Sequence, residues 1–117
     1  MYIKEVIVEC YCKYVSATEV GDYYEVMFKK EIYKDEEYIM IQRQFEFLND
    51  ECYIESNDLN YCGDFKINKA VLYNNRVEIE IDRKSNKEIT VKYPLTLENH
   101  SEVRRILKII IPDLIIK

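Results

Sequence analysis

The chain has 117 residues with 17 basic and 22 acidic side chains, a formal charge of −5 and an isoelectric point near 5.0. That length suits one domain able to close a core, and 48% hydrophobic with 33% charged residues excludes a disordered or fibrous chain. The acidic balance argues against a nucleic-acid binder, and no apolar run approaches the ~20 residues that span a bilayer. Residues 1–10 carry Lys4, Glu5 and Glu9 and lack a signal-peptide layout, so a cytoplasmic protein with no membrane or nucleic-acid partner is expected.

Eleven Tyr, 16 Ile and 9 Val against two Ala and two Gly favour strands, because β-branched and aromatic side chains pack well on a pleated surface. Residues 2–15 read as one long strand with Tyr2, Val6, Val8, Cys10, Cys12 and Tyr14 on one face. A turn over 18–22 contains Gly21. A second strand alternates Tyr24, Val26, Phe28 and Ile32 with charged residues. Lys34, Asp35, Glu36 and Glu37 form a solvated connection. The third strand, 38–47, places Ile39, Ile41, Phe45 and Phe47 on one side, with Arg43 intruding.

Residues 48–63 are rich in turn formers and leave room only for a short strand such as 52–55. A three-stranded meander over 66–93 follows, with Asn74-Asn75 as a tight hairpin and Ser85-Asn86 as the second turn. Pro94 ends it. Asn99 is suited to cap a helix and Glu102 completes a capping-box pattern; Val103, Ile106, Leu107 and Ile110 then form one apolar stripe before Pro112 stops the helix. The expectation is an α+β domain spanning the chain, a mainly antiparallel sheet of about six or seven strands with one C-terminal helix packed on a sheet face.

Catalytic chemistry finds little to build on. His100 is the single histidine, beside the predicted helix cap, with no nucleophile signature around it. Cys10, Cys12, Cys52 and Cys62 lack the paired knuckle spacing of structural zinc sites, and Cys10 and Cys12 share an apolar face, where a thiol behaves as a small hydrophobe. Asp50, Glu51, Glu55 and Asp58 lack the spacing of a calcium loop, and Gly21 and Gly63 form no phosphate-binding motif. No cofactor, no metal and no enzymatic activity are expected. The alternative is a small cysteine-based metal-binding protein or enzyme using the four thiols. A third possibility is an oligomer that docks through Leu114, Ile115 and Ile116.

Charge is unevenly placed. Residues 1–64 hold 6 basic and 15 acidic side chains, a net −9, whereas residues 65–117 hold 11 and 7, a net +4. Residues 49–64 contain five acidic side chains and no Lys or Arg, interleaved with Tyr53 and Tyr61. Tyrosine gives large amphipathic contact area, and a concentrated negative field steers a basic partner. The candidate partner-binding residues are therefore Asp50, Glu51, Tyr53, Glu55, Asp58 and Tyr61.

One resemblance covers part of this region. The strand Tyr38-Ile39-Met40-Ile41-Gln42-Arg43, then Cys52-Tyr53-Ile54-Glu55, Asn57-Asp58 and Tyr61-Cys62-Gly63, and the alternating Val71 and Val77 to Ile81, resemble Imm10-type immunity proteins of bacterial polymorphic toxin systems. The acidic stretch is abbreviated here to Asn49-Asp50-Glu51, and Cys62-Gly63-Asp64 replaces a fuller glycine turn. The resemblance implies a non-catalytic inhibitor that binds a cognate toxin domain, one with a basic face, and neutralises it by occlusion.

Overall fold

The computed structural model describes residues 8–30, 37–44, 51–84, 87–93 and 100–117, with residues 8–11 described by their backbone alone. Among these residues nine strands and one α-helix form: β1 Val8–Tyr11, β2 Tyr14–Val20, β3 Tyr23–Lys29, β4 Tyr38–Gln44, β5 Glu51–Ser56, β6 Gly63–Leu72, β7 Arg76–Ile81, β8 Glu88–Lys92, α1 His100–Ile110 and β9 Ile115–Ile116. The α+β architecture expected from the sequence is the one observed: a largely antiparallel sheet with a C-terminal helix on one face.

Strand order along the sheet is β1-β8-β7-β6-β5-β4-β3-β2. The two ends of that path, β1 and β2, are separated in the chain only by Cys12 and Lys13. A flat sheet of eight strands is roughly 34 Å wide, whereas Tyr11 and Tyr14 stand at most about 11 Å apart along the chain. The sheet must therefore roll up until its two edges meet. Counted as one bent strand, β1 and β2 leave seven strands around the ring. An odd ring cannot alternate direction throughout, and the parallel pair falls between β1 and β8.

This closure corrects the reading of 2–15 as one continuous strand. Its first part pairs with β8, from Val8 opposite Ile89 to Tyr11 opposite Lys92, and the Cys12 amide adds a bond to the Lys92 carbonyl. Its second part pairs with β3, and no straight strand can lie along both neighbours. The bend shifts the alternation: Cys12 and Val15 are buried while Tyr14 is exposed. Residues 1–7, and with them Tyr2 and Val6, lie outside the description. The turn also tightens to Gly21-Asp22, where Gly21 at φ +59° supplies the mirror-type geometry a two-residue hairpin needs.

β6 is the second bent strand. Gly63 to Lys66 pair with β5, and after a register shift between Ile67 and Lys69 the rest pairs with β7. Bulges and bends of this kind let one strand serve two sheet halves. Where β5 has left the edge of β6, β9 fills it, with Ile115 and Ile116 parallel to Val71 and Leu72. Leu114 is buried in the chain's own core, whereas Ile115 and Ile116 pair with β6 through their backbone and keep their side chains exposed.

Inward side chains from β2 to β8 share one cluster with Val103, Ile106, Leu107 and Ile110 of α1. The helix packs against β2, β3 and β4. Arg43, which breaks the apolar face of β4 in the sequence, explains itself here: its guanidinium donates to the Ile110 carbonyl at 3.2 Å, satisfying a carbonyl at the helix C-terminus. The meander is as expected, with Tyr73 N–H donating to Arg76 across Asn74-Asn75. Pro94, Asn99, Ile32, Phe45, Phe47 and the Ser85-Asn86 turn lie outside the described residues. Glu102 pairs with Arg105, at 2.9 Å.

Candidate functional site

β5 alternates strictly. Cys52, Ile54 and Ser56 point into the core, so Glu51, Tyr53 and Glu55 are set on the outer face. The ladders on either side fix their neighbours. Tyr53 stands between Gln42 of β4 and Asp64 of β6; Glu55 lies opposite Met40, and Glu51 opposite Lys66. Glu55 accepts from the Tyr53 hydroxyl at 3.2 Å through Oε1 and from the Tyr38 hydroxyl at 3.4 Å through Oε2. The bond to the Glu55 carboxylate holds the Tyr53 phenol above its ordinary pKa, since ionising it would set two negative charges together.

Beyond β5 the chain turns through residues 57–62. Asp58 caps a short 3-10 turn over Leu59–Tyr61, accepting from the Asn60 amide at 3.0 Å. Ser56 Oγ accepts from the Asp58 amide and donates to the Asp58 carbonyl, and the Tyr61 amide donates to that same carbonyl. Gly63, at φ +140°, follows in a conformation that a side chain would strain.

The six residues singled out from the sequence thus separate. Glu51, Tyr53 and Glu55 share one strand face, and Asp58 sits at the adjoining turn. Tyr61 points the other way and is 2% exposed, so it anchors the turn in the core and offers no surface. The 3-10 turn decides this, because it carries the chain from one strand to the next with a different phase from the strand alternation. Asp50 lies outside the described residues. Tyr38, Gln42 and Asp64 join the face without having been singled out as binding residues. A signal for them existed: they occupy the polar phase of strands that flank β5, visible once the pairing is known.

The thiols behave as packing groups. Cys12 and Cys52 are buried, and burial pushes the Cys52 thiol up to about 12, with Arg43 opposing and Asp64 and Glu51 adding to the rise. Cys62 Sγ lies within 3.5 Å of the Ser56 amide and carbonyl and the Asp58 carbonyl, tying the turn together. The Cys10 side chain lies outside the description. Among the described residues no group of three or more His, Cys, Asp or Glu side chains stands close enough to hold a metal ion. His100 opens α1 with its ring 5.9 Å from that of Tyr93. No described helix is long and apolar enough to cross a membrane.

The outer face of β5 thus sets the Glu55 carboxylate between the Tyr38 and Tyr53 hydroxyls, with Asp64 opposite Tyr53. No known family model matches the sequence, and no curated protein matches it significantly.

Proposed function

We propose that the chain is an immunity-type protein that binds a cognate bacterial toxin domain in the cytoplasm and neutralises it by occupying its surface, with no chemistry of its own. The single observation that carries this reading is the outer face of β4 to β6. There Glu55 is oriented by two neutral hydroxyl donors, with Tyr53, Asp64 and Asp58 close by. Hydroxyls fix the carboxylate without cancelling its charge. A partner presenting Lys or Arg gains charge-assisted hydrogen bonds there, and the field draws it in over about 8 Å at physiological salt. Tyr38 and Tyr53 add apolar area of the kind that concentrates binding energy.

The reading also draws on the resemblance of residues 38–81 to Imm10-type proteins. With no family model matching, its weight rests on the face itself. The test is to find whether a neighbouring reading frame encodes a toxin domain and to co-express that domain with this chain. The Glu55→Lys, Asp58→Lys double variant should lose binding and leave cells sensitive, and Glu55→Lys alone, which keeps the Asp58 cap, should fold normally and weaken binding in the same direction. Full protection by the double variant would remove the face from the interface.

A further inference from the structure

A cavity of about 370 Å³ opens where the end of β4 and the starts of β5 and β6 lie side by side. The strand registers set one row of its wall: Gln42, Tyr53 and Asp64 stand opposite one another on neighbouring strands. Glu51 shares the outer phase two residues before Tyr53, while Arg43 and Cys52 reach the cavity from the inward phase.

The hydrogen bonds around the cavity decide what it can recognise. Gln42 Nε2 donates to Glu25 Oε1 at 3.3 Å. A carboxylate only accepts, so this bond assigns the amide nitrogen to the β3 side and leaves the Gln42 carbonyl oxygen as an acceptor. The one O–H of Tyr53 goes to Glu55 Oε1 at 3.2 Å, so the Tyr53 oxygen keeps only lone pairs. Asp64 is exposed and brings a carboxylate. Arg43, the cation among the described lining residues, donates to the Ile110 carbonyl at 3.2 Å. Arg43, Asp64 and Glu51 all act on the buried Cys52 thiol, which places the three charges around one point. These donors are thus committed within the fold, while acceptors from three strands line one row.

A ligand that fits must bring donors and positive charge. A lysine ammonium carries three donors on a point charge. A guanidinium carries five in a planar fork, which suits acceptors spread along a row at the ~4.8 Å spacing of strands, and it stacks on an aromatic ring such as that of Tyr53. The volume is at the low end for small-ligand clefts, enough for one long side chain. We infer that this cavity receives an arginine side chain of the toxin domain. The inference rests on the proposed function and deepens it, since that reading asks only for a basic surface and centres on Glu55, nearer the other end of β5.

The test uses the full chain in two arms. In the first, N-acetyl-arginine amide, its lysine counterpart and its neutral citrulline counterpart are titrated while backbone amide resonances are followed by NMR. The arginine probe should shift Gln42, Tyr53 and Asp64 saturably, the lysine probe should bind several-fold more weakly, and the citrulline probe should leave the three unshifted. Asp64→Asn, of nearly equal size at an exposed position, should weaken the arginine probe on the order of tenfold with unchanged thermal unfolding. No shift at these residues, equal shifts from arginine and citrulline, or binding indifferent to Asp64→Asn overturns the guanidinium site. In the second arm, calorimetry measures the toxin domain of a neighbouring reading frame. Asp64→Asn should again cost on the order of tenfold, and the arginine probe should compete. A toxin domain that binds Asp64→Asn as tightly as the unaltered chain, yet is lost by Glu55→Lys, overturns the cavity as its seat and keeps the acidic face. A toxin domain that ignores the unaltered chain overturns the proposed function and the toxin as occupant, whereas the guanidinium site stands or falls on the first arm.

Discussion

β5 and β7 are two six-residue strands with the same inner architecture and opposite outer faces. Each buries every second residue: Cys52, Ile54 and Ser56 in one, Val77, Ile79 and Ile81 in the other. On β7 two of the outward charges answer each other. Arg76 meets Glu78 at 2.9 Å and lies 3.8 Å from the centre of the Tyr73 ring. On β5 the outward Glu55 is answered by hydroxyls. Burial is therefore a poor guide to function here, because the core treats the two strands alike. What differs is whether a strand settles its own electrostatics or leaves a charge oriented for something else.

The largest expected effect tests the sameness. Ile54→Ala and Ile79→Ala, at side chains 0% and 2% exposed, should each cost about 2–5 kcal/mol in chemical denaturation. A loss confined to one strand would mean the two halves do not share a core. Next comes the difference. If the proposed function holds, Glu55→Lys with Asp58→Lys should weaken binding of the proposed toxin partner on the order of thirtyfold, whereas Glu78→Lys with Glu80→Lys should leave it unchanged. Equal losses from both pairs would point to bulk charge and away from a placed face.

Alkali sharpens the contrast further, since β5 carries a titratable group inside and β7 does not. Burial raises the Cys52 thiol from 9.0 and the Tyr93 phenol from 10.0, each to about 12. Both groups are neutral when protonated, so the folded state keeps its protons in a range where the unfolded chain releases them. Stability is then intact below about pH 9 and falls as the pH rises towards 12, through Cys52 from about pH 9 and through Tyr93 as well from about pH 10. Urea unfolding across that range should show the decline, and Cys52→Ala should remove its share. The smallest effect is the ion pair itself. Arg76→Ala should leave the urea midpoint almost unchanged, because both partners are partly solvated and water screens them.

Much of the fold was legible in the chain. The meander, its Asn74-Asn75 turn and the helical stripe from Val103 to Ile110 are local patterns, each set by alternation or by 3.6-residue spacing, and they appear where the pattern puts them. On β5 the alternation of Cys52, Ile54 and Ser56 with Glu51, Tyr53 and Glu55 is a local pattern of the same kind, and it turns Tyr53 and Glu55 outward. The direction of Tyr61 was not legible, because a 3-10 turn intervenes and strand phase does not pass through it. Nor was the role of Arg43, whose partner carbonyl lies 67 residues away.

By itself the sequence determined which stretches alternate, where one helix lies and where acidic charge gathers, because those properties depend on neighbours a few residues apart. Only the tertiary structure decided how the sheet closes. The bend at Cys12–Lys13, the split pairing of β6, the parallel contact of β1 with β8 and the docking of β9 all join segments distant in the chain. Backbone hydrogen bonding is chemically the same for every strand, so pattern alone does not choose its partner. Closure also set Tyr38, Gln42 and Asp64 around the β5 face. The acidity visible in the composition became a surface only once those strands were paired.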